Sequence, residues 1–190
     1  CPMVNPMRLL ASLLLTLTCA LGSAQDVTRT SDVIYAKHDG VALTMDVFTP
    51  AKPNGAAVIK IVSGGWNSNH NGINDGGWPK HGFTTFVVVH GTQPRFHIDE
   101  IVADLQRSVR FVRANAAKFG IDPKKIASGG GSAGGHLGAA VALTDEFDAE
   151  SDDKKASAKP DLRVLFNPAM AIAPDERLPA EYNEGMKGRL

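Results

Sequence analysis

Apolar and polar positions change their rhythm several times along this chain, and the changes mark its elements. Residues 32–37 and 41–48 recur in Val, Ile, Tyr and Phe and read as two strands. His38-Asp39-Gly40 joins them, and Asp-Gly is a strong signal for a tight hairpin turn. Ala56–Val62 is mostly apolar, as a strand buried on both faces should be, and Phe83–His90 is a second such run built around Val87-Val88-Val89. From Ile98 the period becomes helical: Ile98, Ile101, Val102, Leu105, Val109, Val112 and Ala116 share one face, and Arg107, Arg110 and Arg113 fall among the polar positions. Gly120 suits the end of that helix. Lys125–Ser128 predicts a short strand, Ala133–Leu143 a helix of small residues packed close to a sheet, and Leu162–Phe166 a last strand stopped by Asn167-Pro168. Thr144–Pro160 is polar and predicts a surface loop or short helix. A hairpin followed by strands alternating with helices implies an α/β fold with a mostly parallel sheet and an N-terminal antiparallel hairpin.

The first residues do not share this rhythm. Met7-Arg8 opens a short basic region, Leu9–Leu21 is apolar, and Gly22-Ser23-Ala24 supplies small residues ahead of Gln25. That is the layout of a secretory signal peptide, which divides the chain into a leader at 1–24 and one domain at 25–190. The competing reading, an uncleaved anchor, needs a longer apolar run of about 20 residues. A lipoprotein site at Cys19 is disfavoured by Thr18 in front of it. Cleavage leaves no membrane span and predicts a secreted or periplasmic protein. Both cysteines, Cys1 and Cys19, lie in the leader, so packing alone must stabilise the domain.

Composition narrows the classes further. The chain of 190 residues is 43% hydrophobic, and 20 basic residues balance 20 acidic ones. A net charge of zero gives no support to nucleic-acid binding, which usually needs a basic stripe. No His-Glu-x-x-His spacing occurs and the domain has no thiol, so neither a metal nor another cofactor is expected.

Candidate chemistry centres on Gly129-Gly130-Gly131-Ser132-Ala133-Gly134-Gly135-His136-Leu137. It contains Gly-x-Ser-x-Gly between a predicted strand and a predicted helix, the setting in which a strained turn exposes a nucleophilic hydroxyl, here Ser132. The glycines are expected to let the chain turn sharply and to leave the hydroxyl uncovered. The same letters fit the dinucleotide fingerprint at Gly129-x-Gly131-x-x-Gly134, but that fingerprint opens its fold, and here several strands come first. A phosphate-binding P-loop lacks its Gly-Lys-Ser/Thr ending. Ser63-Gly64-Gly65-Trp66 follows the buried strand, where bare glycines can aim N–H groups at developing negative charge. Gly64, Gly65 and Ala133 are thus the candidate oxyanion donors. Trp66 and His70 are candidate pocket residues, with Trp78 at the far end of the same loop. His136, four residues past Ser132, is expected to brace the turn, and His38, His81, His90 and His97 to sit at the surface or at strand ends. Asp99, Glu100 and Asp104 are expected to start and solvate the long helix.

These residues resemble a known family. Gly130–Leu137 is similar to the elbow of α/β-hydrolase esterases, in particular the bifunctional deacetylase/feruloyl-esterase group and the hormone-sensitive-lipase-like group. Ser63-Gly64-Gly65-Trp66 resembles their His-Gly-Gly-Gly-Trp loop, Gly120–Ile126 the lead into the elbow strand, and Val164–Ala169 the next strand of acetyl-xylan-esterase-like members. The resemblance implies an α/β-hydrolase fold, Ser132 as nucleophile and an acetyl, feruloyl or small acyl ester as substrate, free or polysaccharide-linked. Val62 departs from the lipase-like pattern, as does His90-Gly91-Thr92-Gln93-Pro94. In that superfamily the acid and the base follow the serine, yet no histidine follows His136. The expectation is a hydrolase domain incomplete at its C-terminus, without its triad Asp and His. A catalytically incomplete binding module stays open as the alternative, and a prolyl-oligopeptidase-like peptidase as a remote one.

Overall fold

In the computed structural model, residues 27–38, 40–150, 152–170 and 179–186 are described. The expected leader at 1–24, the turn residue Asp39 and Asp175-Glu176 lie outside them. The order is β1 (Val27–His38), β2 (Val41–Pro50), β3 (Ala57–Val62), β4 (Thr84–Val89), α1 (Ile98–Ala114), α2 (Ala116–Phe119), β5 (Ile126–Gly131), α3 (Ala133–Leu143), β6 (Leu162–Phe166) and α4 (Ala180–Met186). The six strands form one sheet in the order β1-β2-β4-β3-β5-β6. β1 and β2 pair antiparallel, as do β2 and β4, while β4, β3, β5 and β6 run parallel. This is the mostly parallel α/β sheet with an N-terminal antiparallel hairpin that the alternation of periods predicts, and it agrees with the α/β-hydrolase fold that the resemblance implies.

The apolar stripe of α1 explains its place. Ile101, Val102, Leu105, Val109 and Val112 are buried to 1% exposure or less and meet the core formed by Ile59, Phe86 and Val88. His97 ahead of the helix and Glu100 form a capping box, with the His97 N–H donated to Glu100 Oε2 at 2.7 Å. Asp99 and Glu100 sit in the first turn as expected, but Asp104 does not solvate the helix. It is fully buried and paired with Arg107 at 2.7 Å.

The three arginines of α1 are likewise not a free polar face. Arg107 binds Asp152 at 2.9 Å, Arg110 binds Asp148 at 2.5 Å and the Ala156 carbonyl at 3.2 Å, and Arg113 reaches Asp161 at 3.0 Å. Spaced three residues apart, they share one side of the helix. They strap the polar segment after α3 to the fold as a turn-rich loop that leads into β6. Among the described strands β6 is an edge, and Leu143, Leu162, Phe166 and Met170 are all more than half exposed beside it.

The glycine run differs most from expectation. β5 does not stop at Ser128 but continues through Gly131, so the glycines are strand rather than turn. Their function is close approach. A Cβ on Gly129 would stand 1.8 Å from the Val164 carbonyl oxygen, and one on Gly138 would stand 2.7 Å from Gly129 Cα. Cβ atoms on Gly130 and Gly134 would both fall within 3 Å of the Ile61 carbonyl oxygen. α3 therefore lies backbone to backbone on β3 and β5. Glycines in a helix cost about 1 kcal/mol each relative to Ala, so this packing must offset them.

Candidate active site

The sharp turn falls on Ser132 itself. Its φ of 50° and ψ of −120° lie in a region that L-residues rarely occupy. Such a conformation costs about 1–3 kcal/mol and persists only where surrounding contacts impose it. Those contacts are visible: the Ser132 N–H donates to the Phe166 carbonyl at 3.1 Å. The Ser132 carbonyl accepts from the His136 and Ala169 N–H groups, both at 3.1 Å. The elbow is thus tied to β6 on one side and to the first turn of α3 on the other. Ser132 is exposed, whereas the residues after it, Ala133 to Ala139, are buried. Its side chain stands at the N-terminal end of α3, where the helix dipole and the unpaired first-turn N–H groups favour negative charge. Ala133 is the first residue of that helix, which aims its N–H toward the same end.

The loop after β3 lies next to the elbow. Gly65 and Trp66 both have positive φ, at 55° and 62°, which folds the loop into a tight turn. That turn is closed by a two-way bridge: the Gly64 N–H donates to the Asn67 carbonyl at 2.9 Å, and the Asn67 N–H returns to Gly64 at 3.0 Å. The Gly64 N–H, one of the expected oxyanion donors, is thus engaged in holding the loop. Ser68 and Thr92 lock the loop to the one after β4, through Ser68 N–H to Thr92 Oγ1 at 3.0 Å and Thr92 Oγ1–H to the Ser68 carbonyl at 2.8 Å.

Trp66, a candidate pocket residue, packs inside the fold. It is 4% exposed, belongs to the core and donates its indole N–H to His136 Nδ1 at 3.2 Å, with the two rings edge to face at 5.8 Å. His136 braces the turn as expected, and it does so by joining α3 to the loop after β3. Burial lowers its pKa. No spacing in the sequence announces a contact between residues 70 positions apart. The available signal was an indole donor and an imidazole acceptor flanking the two glycine turns.

His70 lies elsewhere. It is exposed, on a single 3-10 turn at His70–Gly72, and its Nε2 faces Thr44 Oγ1 at 3.4 Å and Asp32 at 3.5 Å on the β1–β2 hairpin. Trp78 stacks edge to face on Phe83 and lines a small cleft of about 70 Å³ with Lys60, Gly129–Gly131, Val164 and Phe166. His90 ends β4 as expected but is 4% exposed, and burial pushes its pKa down to about 4. Among the described residues no histidine hydrogen-bonds Ser132 Oγ. Among them, too, no group of three or more His, Cys, Asp or Glu is placed to hold a metal, and no helix is long and apolar enough to cross a membrane.

Known proteins share this arrangement. The sequence profile of the BD-FAE family matches residues 45–166, from β2 through the elbow to the end of β6. An acetylxylan esterase of Xylanibacter ruminicola is 26% identical over 76% of this chain and 28% of its own. Mouse arylacetamide deacetylase is 30% identical over 85% of this chain and 42% of its own. A thermophilic esterase of Thermogutta terrifontis superposes with a TM-score of 0.69 at 26% identity, covering 88% of this chain and 62% of that one. The chain thus spans less than half the length of these two curated relatives and under two thirds of the solved esterase.

Proposed function

The chain belongs to the BD-FAE family, an α/β-hydrolase-fold lineage of esterases, and on that footing we propose that it serves hydrolysis of carboxylic esters through an acyl-enzyme on Ser132. One observation carries this reading: the strained, exposed Ser132 at the strand-to-helix turn, held there by Phe166, His136 and Ala169. An ordinary serine in a glycine-rich turn has no need of that backbone conformation.

In the proposed reaction Ser132 Oγ attacks the ester carbonyl. The Gly65 and Ala133 N–H groups hold the oxyanion, its collapse breaks the ester C–O bond and the alcohol leaves with the proton given up by Ser132, and water later hydrolyses the acyl-enzyme to the acid and the free serine. Gly64 contributes the shape of the loop rather than a donor. The base and its orienting acid follow the nucleophile in this fold and are assigned to the whole protein, not to the described residues. The family match and the acetylxylan esterase among its relatives favour acetyl or feruloyl groups on polysaccharide, and the leader at 1–24 favours export. A second reading, a hydrolase-fold binding module without turnover, rests on the lack of any histidine bonded to Ser132 Oγ among the described residues.

The two readings separate on the full-length protein. Ser132→Ala is expected to lower hydrolysis of p-nitrophenyl acetate by at least about 10³-fold. Paraoxon, which phosphorylates the Thermogutta terrifontis relative, is expected to label Ser132 and to leave Ser132→Ala unlabelled by mass spectrometry. Full turnover in Ser132→Ala would sink the esterase assignment. Neither turnover nor label in the unaltered protein would establish the second reading.

A further inference from the structure

A cavity of about 510 Å³ opens between α1 and α3, and Ser132 is not in its lining. Its walls are apolar: Ile98 and Val102 from α1, Ala140 from α3, and Phe147 from the loop beyond. This volume lies within the range of small-molecule sites, roughly 300–1,000 Å³. Cavities of this kind bind when they combine apolar walls with a few fixed polar groups. Here one such group is defined by a contact on the opposite side of its ring.

That group is His136, which is 9% exposed and lines the cavity. An indole N–H can only donate, so Trp66 fixes His136 Nδ1 as an acceptor with its lone pair directed at Trp66. The neutral ring must then carry its proton on Nε2. Nε2–H has no hydrogen-bond partner among the described residues, and the ring edge that bears it is the one not covered by Trp66. With His136 in the lining, that unused donor is the polar group it can offer the cavity. A hydrocarbon filling it would bury that donor unpaired, at a cost. A molecule with an oxygen acceptor in the right place would satisfy it. Charge selects further. Asp99, also in the lining, disfavours an anion, and the neighbouring His97 is engaged in the capping box with Glu100. Thr144 adds no second donor, because its hydroxyl is given to the Ala140 carbonyl at 3.0 Å.

We propose that the cavity between α1 and α3 binds a small, uncharged, mainly apolar molecule, held by one hydrogen bond from His136 Nε2–H to a carbonyl oxygen. The site is distinct from the elbow, since Ser132 is not part of its lining. It is nonetheless joined to both halves of the candidate active site, because His136 donates its backbone N–H to the Ser132 carbonyl and its ring accepts from Trp66. The proposal does not depend on Ser132 being a nucleophile, and a ligand without a hydrolysable bond keeps the two ideas apart.

Acetophenone is the probe, titrated into the full-length protein and followed by tryptophan fluorescence, with ethylbenzene and benzoate as comparison ligands. Acetophenone is expected to bind saturably, with ethylbenzene weaker by about fivefold or more for want of the acceptor. Benzoate is also expected to bind more weakly. Ala140→Leu, which fills the cavity, is expected to weaken acetophenone by about tenfold or more, while Ser132→Ala leaves it unchanged. Equal binding of ethylbenzene and acetophenone, tighter binding of benzoate, or no saturable binding of acetophenone would each overturn the proposal. So would a loss of binding in Ser132→Ala, which would place the ligand at the elbow. The comparison of the three ligands needs no variant, so a failure of Ala140→Leu to fold leaves the test intact.

Discussion

At the scale of single residues, the site depends on atoms that are missing. Gly129 and Gly138 touch because neither has a Cβ, and that contact sets the height of α3 above β5. Gly129→Ala would drive a methyl group into the Val164 carbonyl, a backbone atom that cannot swing aside. Overpacking of this kind typically costs about 1–3 kcal/mol, and a backbone clash puts Gly129→Ala at or above the top of that range. Urea unfolding is the measurement, and a loss under about 1 kcal/mol would mean that β6 yields easily. Trp66→Phe tests the other contact. It keeps the ring in the core but removes the indole donor, leaving His136 Nδ1 buried without a partner. The expected loss is about 1–3 kcal/mol. The Gly-x-Ser-x-Gly spacing revealed the strand-to-helix turn at Ser132, since flanking strand and helix are legible from periodicity. It did not reveal that the strain rests on Ser132 while the glycines serve packing, because which backbones approach one another is a property of the assembled sheet.

At the scale of elements, apolar rhythm was a reliable guide wherever one face or both faces meet the core. β3, β4, α1 and α3 occupy nearly the residues their patterns predict, because burial forces the pattern. β5 runs past its predicted end since glycine is a poor strand former by propensity, and here the need for thin backbone overrides it. Reading the acidic stretch after α3 as solvated missed its partners. The signal was present in Arg107, Arg110 and Arg113 at spacings of three, a single row facing a loop rich in Asp. The Arg110–Asp148 pair is mostly buried, with side chains 9% and 17% exposed, whereas Lys159–Asp145 is open at 48% and 74%. Breaking a buried pair strands the other charge, so Arg110→Ala is expected to cost about 3 kcal/mol. Lys159→Ala is expected to cost less than about 1 kcal/mol. Trypsin should then cut the Lys154-Lys155 stretch faster in Arg110→Ala than in Lys159→Ala. Equal rates would show that the arginine row does not hold the loop. The pair also has a pH signature. Arg110 holds the Asp148 carboxyl below its ordinary range, so its contribution is present above pH 3.8 and is lost as pH falls through the lower folded value.

At the scale of the whole molecule, two buried histidines make stability depend on pH in a higher window than Asp148 does. His90 sits at the end of β4, with Nδ1 against the Gly91 carbonyl at 2.5 Å and Nε2 buried without a partner. Burial lowers its pKa from 6.5 to about 4. The sign follows from proton counting. Between these values the unfolded chain binds a proton at this position and the folded protein does not, so unfolding is favoured as pH falls. The stabilising preference for the neutral ring is complete above about pH 6.5 and is consumed progressively down to about pH 4. For His90 alone that amounts to about 3 kcal/mol. His136 is shifted in the same direction by the same cause, so the two act together. Unfolding free energy measured by urea at steps from pH 7 to 4 is expected to fall steadily. His90→Gln, which retains a polar side chain but does not titrate, is expected to flatten that slope. An unchanged slope in His90→Gln would show that the ring is not held neutral by the fold.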